Sequence, residues 1–241
     1  MKIRLDHLVH QCGLAESRTQ AAALIMAGKV RVDGVRRDKP GWQTDAGADL
    51  SLEAAMQYVS RAGLKLASVN AKFGVDFKRK TVLDVGSSTG GFSDYALQQG
   101  ATKVYAVDVG TNQLHERIRA NSRVVVMEQT DIRVAQLPET VDIVVIDVSF
   151  ISLRQVLPYI ARFVAPQGII MAMCKPQFEA GVAEASKHKG VIKNDTIRRR
   201  ILKEFELWLK QHGFIVIDKA DSAVAGAKGN IERFYLIKPA T

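Results

Sequence analysis

Five residues of this sequence stand where chemistry is easiest to assemble. Asp84, Asp108 and Asp147 close the apolar runs "TVLD", "KVYAVD" and "VDIVVID", Asp131 follows "RVVVMEQT", and Lys175 ends "IIMAMC" directly before Pro176. If such runs form a sheet, ligands lie beyond the carboxyl ends of its strands. Carboxylates gathered there accept hydrogen bonds and attract positive charge. A lysine beyond an apolar strand is usually a snorkelling surface residue. This one is held by the proline that follows it. An ion pair with Asp147 is the simplest structural role for both residues.

The stretch "DVGSSTGGFSDYALQQG" places Gly86, Gly90 and Gly91 just after the first of these runs. A dinucleotide fingerprint needs a glycine at position 88, which is Ser88. A P-loop needs a lysine after Gly91, which is followed by Phe92. Nothing here supplies a cation for a triphosphate, and Asp84 repels anions. A ligand with an ammonium, a sulfonium and no phosphate suits these residues better, which is S-adenosylmethionine. Asp84, Gly86, Gly90, Gly91 and Phe92 are expected to hold its methionine and sulfonium. Asp108 is expected on both ribose hydroxyls, and Asp131 on the exocyclic amine of adenine.

The elements that must position these residues are near-continuous apolar runs alternating with helical patterns from about Arg61 onward. The spacing predicts strands in "TVLDVG", "KVYAVDVG", "RVVVMEQT", "VDIVVIDVSF", "GIIMAMCKP", "GFIVIDKADSAV" and "RFYLIKP". Runs of this kind indicate an α/β, Rossmann-like fold, a mostly parallel seven-stranded sheet covered on both faces. Residues 1–50 read as a smaller α/β unit. Leu5, Leu8, Val9 and Cys12 recur at helical spacing, Ser17 and Gln20 open a second helix that stops at Gly28, and Asp33-Gly34 turns a hairpin. The expected boundaries are 1–52 for this unit, 53–60 for a linker, and 61–241 for the larger domain.

Composition narrows the functional classes. The 241 residues carry a formal charge of +9, and the excess is clustered. Residues 61–80 hold six Lys/Arg against one Asp, and residues 186–203 hold seven against one Asp. Such blocks favour a polyanionic partner such as nucleic acid. No transmembrane span or secretory leader is expected. Cys12 and Cys174, far apart, argue against a disulfide framework or a cysteine zinc site, and for a cytoplasmic protein.

"RLDHLVHQCGLAESRTQAAALIMAGKVRVDGVRRDKP" resembles the RNA-binding domain named after ribosomal protein S-four. The resemblance implies RNA contacts through helix and hairpin cations: Arg4, Arg18, Lys29, Arg31, Arg36 and Arg37. "YVSRAGLKL", "DVGSSTGGFSDYALQQGA", "YAVDVG", "DVSFISL", "KPQFEAG" and "KGNIERF" are similar, in order, to the TlyA or hemolysin A family, relatives of FtsJ-type ribose methyltransferases. On composition alone, Lys65 and Glu232 are ordinary helix and strand-end charges. The resemblance implies that Lys65, Asp147, Lys175 and Glu232 form a Lys-Asp-Lys-Glu tetrad for 2′-O-methyl transfer. It further implies a cytidine of ribosomal RNA as target and ribosomal subunits as partners.

Lys175 is the expected general base. Asp147 would orient its amine, and Lys65 and Glu232 would position the ribose. Ala62-Gly63 stands where the family commonly has two glycines, and "SAVAGAKGN" lacks a proline often found there. The segment "KHKGVIKNDTIRRR" above the cleft is expected to hold RNA phosphates, with Lys189 and Arg198 among the contacts. Phe150 and Phe178 are expected in the core, base stacking being the alternative. The rival readings are a non-catalytic RNA-binding or ribosome-assembly factor and a membrane-lytic hemolysin.

Overall fold

The computed structural model describes residues 2–52, 57–181, 191–192, 194–226 and 229–240. The chain divides into two compact units, Met1–Met56 and Gln57–Thr241.

In the first unit, β1 (Lys2–Arg4) leads into α1 (Leu5–Gln11), and α2 is Arg18–Met26. Ser17 caps α2 by accepting a hydrogen bond from the Gln20 amide, while the Gln20 side chain accepts one from the Glu16 amide. This capping box closes one residue further out than the usual pattern. Strands β2 (Val30–Val32) and β3 (Val35–Arg37) form the hairpin, with Asp33 and Gly34 both at positive φ, as a two-residue turn of this kind requires. Strand β4 (Gln43–Asp45) pairs with β1, and β5 (Leu50–Leu52) pairs with β2. Leu5, Val9, Ala21, Ile25, Val30 and Val32 make the core.

The second unit begins before the residue expected. Tyr58 is buried in its core and the Val59 amide bonds to Asp94, so residues 57–60 belong to this unit and not to a linker. Helix α3 (Arg61–Phe73) precedes β6 (Thr81–Val85), α4 (Gly91–Gln98), β7 (Lys103–Val107), α5 (Glu116–Arg119), β8 (Val124–Met127) and β9 (Val141–Ile146). Then come α6 (Leu157–Ile160), β10 (Val164–Cys174), α7 (Pro176–Glu179), α8 (Asp195–Gln211), β11 (Phe214–Asp221) and β12 (Arg233–Pro239). All seven strands predicted for this domain form one sheet, in the order β11-β12-β10-β9-β6-β7-β8. Six run in one direction, and only β12 among them runs the other way, antiparallel to both β10 and β11. One face packs on α3 and α4, the other on α8 and the segment around α6. Burial on both faces is why the central strands read as unbroken apolar runs.

Candidate active site

Strand alternation brings the charged residues to one layer. Val82, Val145, Met173 and Phe234 pack against α3 and α4. Asp84, Asp147, Lys175 and Glu232 each stand two residues away on the same strands or their extensions, so the period of two turns them to that layer as well. Register places the last two side by side. Cys174 pairs with Arg233, and one step beyond that antiparallel pair lie Lys175 and Glu232. Lys65 descends from α3 beside the buried Leu66 and Val69.

The four residues of the expected tetrad form two ion pairs. Lys65 Nζ donates to Glu232 Oε1 at 3.0 Å, with side chains only 11% and 4% exposed. Lys175 Nζ lies 2.5 Å from Asp147 Oδ1 and donates to Ser149 Oγ at 2.7 Å. Pro176 at the first position of α7 keeps Lys175 extended, with φ −106° and ψ 104°. Among the described residues, Glu232 Oε2 is buried with no hydrogen-bond partner. Gly226 makes room for that carboxylate, since a Cβ there would stand 2.5 Å from Oε1.

Beside Asp147 opens a cavity of about 490 Å³, walled by Gly86, Ser88, Asp108, Asp131, Asp147 and Ser149 together with Val85, Val107, Ile132 and Val156. Asp108 braces it: Oδ2 accepts the Ser88 amide and Oδ1 the Gly110 amide, at 2.8 and 2.7 Å. A carboxylate has about four acceptor positions, so Asp108 keeps capacity for a diol. Asp131 does not. Both its oxygens accept from the Arg133 guanidinium and one also from the Arg133 amide, which holds its pKa below the usual range. Its expected bond to an adenine amine therefore requires Arg133 to swing away.

The glycine loop works differently from expectation. Gly86 lines the cavity and lets the backbone approach β9, since a Cβ there would lie 2.7 Å from the Asp147 carbonyl. Gly90, Gly91 and Phe92 are not on the cavity wall. A Cβ on Gly90 would meet Leu114, and one on Gly91 would strike Ser60 and Ala62 at the start of α3. Phe92 is in the core against Phe234. Of the three, Gly91 sets how closely α3, and so Lys65, approaches α4. Asp84 also sits beneath the wall, 1% exposed, with Oδ2 taking the amide and hydroxyl of Ser93 and Oδ1 buried without a partner among the described residues.

Burial first, and then repulsion from Asp147 and Asp108, push the Asp84 carboxyl up to about 7. A positive ligand relieves that repulsion and favours the ionised form. A cationic ligand in this cavity is thus expected to bind more tightly as pH rises through about 7, and Asp84→Asn to flatten that dependence. Calorimetric titration of S-adenosylmethionine from about pH 6 to 7.5 should show roughly a tenfold gain in affinity for the native protein, about 1.4 kcal/mol. An equal gain in Asp84→Asn would exclude this carboxylate. For the ligand-free fold the sign is opposite: a raised carboxylate stabilises at low pH, and that contribution is lost as pH climbs through about 7.

Two site residues escaped the sequence reading. Ser149 was unremarked because a serine after an apolar run carries no signal by itself. Glu128, just past β8, accepts from the Arg119 guanidinium and from the amides of Asn112, Leu114 and Gln113, and these bonds, the guanidinium first, draw its pKa down to about 2. It thereby shapes the loop that brings Gln113 to the cavity.

Several expected RNA contacts have other partners. Arg4 and Arg18 both bind the buried Asp6, which their guanidinium groups hold down at about 2. Arg37 stacks on Trp42, 4.1 Å from the ring centre. Arg31 and Arg36 are register partners across the β2–β3 hairpin, and Arg31 donates to the Gly34 carbonyl at 3.1 Å. The Arg36 guanidinium lies against Gly28, and Lys29 is half-buried. Arg198 departs from expectation most. Its side chain is 11% exposed, bonded to Asp221 at 2.6 Å and to the Ile231 carbonyl at 3.2 Å. It ties α8 to the residue before Glu232 and is a structural clamp. Lys189 lies outside the described residues. Phe150, expected in the core, is 91% exposed on the cavity rim.

A seven-stranded sheet with β12 antiparallel beside β10, and a carboxylate-lined cavity at its carboxyl edge, defines a Rossmann-like methyltransferase domain. The FtsJ-like methyltransferase family matches residues 58–238 and the S4 domain residues 3–50. The chain is 44% identical over 239 residues to "Putative rRNA methyltransferase YqxC" of Bacillus subtilis, covering 96% of this chain and 84% of that one. It is 36% identical over 246 residues to the 16S/23S rRNA (cytidine-2′-O)-methyltransferase TlyA of Mycobacterium tuberculosis, covering 100% of this chain and 91% of the other. A solved structure from Streptococcus thermophilus, carrying a hemolysin designation, superposes with a TM-score of 0.75 at 39% identity, covering 99% of this chain and 89% of that one. The chain belongs to the FtsJ-like methyltransferases and, within them, to the TlyA or hemolysin A family.

Proposed function

We propose that the protein transfers a methyl group from S-adenosylmethionine to a ribose 2′-hydroxyl of ribosomal RNA, on cytidine. The observation that carries this reading is the position of Lys175: its Nζ lies against Asp147 and Ser149 at the wall of the acidic cavity, in register beside Glu232 of the Lys65–Glu232 pair.

The cavity suits the donor. Its carboxylates repel one another, the oxygen left over on Asp84 is buried, and a cation relieves both conditions. Gly86, Ser88, Asp108, Val107 and Ile132 would hold the donor, which supplies a methyl group on a positively charged sulfur. A ribose hydroxyl must lose its proton to accept that methyl. A neutral lysine amine has two N–H groups and one lone pair. Ser149 Oγ accepts from the Lys175 amine and Asp147 lies against it, and an amine held on that side would turn its lone pair to the incoming hydroxyl. The Lys65–Glu232 pair would position the ribose beside Lys175, with Lys65 neutralising the carboxylate. The exposed Phe150, 5.4 Å from Phe178, offers a face for the target base. Arg31 and Arg36 of the N-terminal unit would meet RNA phosphates, in the cytoplasm where ribosomal subunits are assembled.

Tritiated methyl from S-adenosylmethionine should enter ribosomal RNA when the purified protein is incubated with ribosomal subunits from cells lacking it. Nuclease mapping should place the label on a cytidine 2′-oxygen. RNA binding without incorporation would identify a non-catalytic factor instead. Among the described residues no helix is long and apolar enough to cross a membrane.

A further inference from the structure

The segments that follow β9 and β10 are fastened together at two points. The inner one is Lys175 with Asp147 and Ser149. The outer one is Glu179, the last residue of α7, whose Oε1 accepts the Leu153 amide at 2.7 Å and whose Oε2 accepts the Ser152 hydroxyl at 2.6 Å. Arg154 Nε lies 3.6 Å from the same carboxylate. Between the two fastenings stand the rings of Phe150 and Phe178.

Neither feature is explained by stability. Phe150 has φ +64° and a ring almost wholly in water. A non-glycine residue in that region is strained and persists where its surroundings over-determine it. Glu179 is 8% exposed, and burial raises its pKa. A buried carboxylate generally contributes less to stability than an apolar side chain of the same size, and what it adds is fixed geometry. Its two acceptor bonds reach the residues immediately beyond the strained turn.

We propose that Glu179 is a positioning residue. By anchoring Ser152 and Leu153 to the helix that starts beside Lys175, it fixes Phe150 in its left-handed conformation and keeps Ser149 Oγ on the lysine amine. The catalytic part of this inference rests on the methyl-transfer reading above. The conformational part stands without it.

The test uses the full chain with Glu179→Gln, which keeps side-chain volume, and Ser152→Ala, which removes one of the two bonds. Glu179→Gln is expected to slow single-turnover methyl transfer by about 10- to 100-fold through misplacement of the reacting groups. Cofactor affinity should stay within about twofold, and Ser152→Ala should be intermediate. In a Ser149→Ala/Phe150→Ala background, Glu179→Gln should change turnover by no more than about twofold, because its targets are gone. With 4-fluorophenylalanine at position 150, the fluorine resonance should move toward its denatured position in Glu179→Gln. Native turnover in Glu179→Gln, an unmoved fluorine resonance, or a full multiplicative effect in the double-variant background would each overturn the proposal. If Lys175→Ala keeps native turnover, the methyl-transfer reading fails instead, and the fluorine spectrum still decides whether the anchor exists.

Discussion

Lys175→Ala is expected to lower methyl transfer by about 10²–10⁴-fold, the range a general base contributes, while cofactor and RNA affinities stay near native. The amine is the group that touches both Asp147 and Ser149 at the cavity wall. Without it, Asp147 keeps its place but has no amine to orient, and the ribose hydroxyl has no neutral acceptor for its proton. Donor binding should survive, because Gly86, Ser88 and Asp108 are untouched and the acidity of the cavity rises. The measurement is single-turnover transfer into ribosomal RNA at saturating donor, with calorimetry of donor binding alongside. Near-native turnover with both ligands bound would make Lys175 a structural partner of Asp147 and nothing more.

The second large effect separates structure from chemistry at the Lys65–Glu232 pair. Breaking a buried pair leaves an uncompensated charge and costs about 3–5 kcal/mol, whereas replacing both partners by apolar residues is often neutral. Glu232→Leu strands the Lys65 ammonium, and Lys65→Met strands a carboxylate that already has one oxygen without a partner. Each single variant should therefore lose about 3–5 kcal/mol in denaturant unfolding. The double variant should regain most of that stability and remain inactive. Recovery of activity along with stability would reduce the pair to a strut between α3 and β12.

Much of the fold was legible because its physics is local. Strands buried on both faces must be apolar at nearly every position, so all seven runs are legible directly. Ser17 with Gln20, and Asp33 with Gly34, announced a cap and a turn for equally local reasons. Charge was less legible. "RRR" reads the same whether it is solvated or clamped, and the Asp221 that holds Arg198 is 23 residues away. Phe150 looked like core because its neighbours are apolar, yet the turn carries it outward. Gly91 looked like a ligand contact because glycine marks close approach, and what approaches is α3.

What the sequence determined by itself was the set of elements, the carboxylates and lysine at their ends, and the absence of a phosphate-type loop, since each depends on neighbouring residues. Family resemblance added Lys65 and Glu232. Tertiary structure alone decided that these two, 167 residues apart, meet at 3.0 Å, that Lys175 lies in register beside Glu232, that Lys175 meets Ser149, and that Glu179 meets Ser152. Strand order and register are set by long-range packing, and no local pattern encodes which strand end will lie next to which.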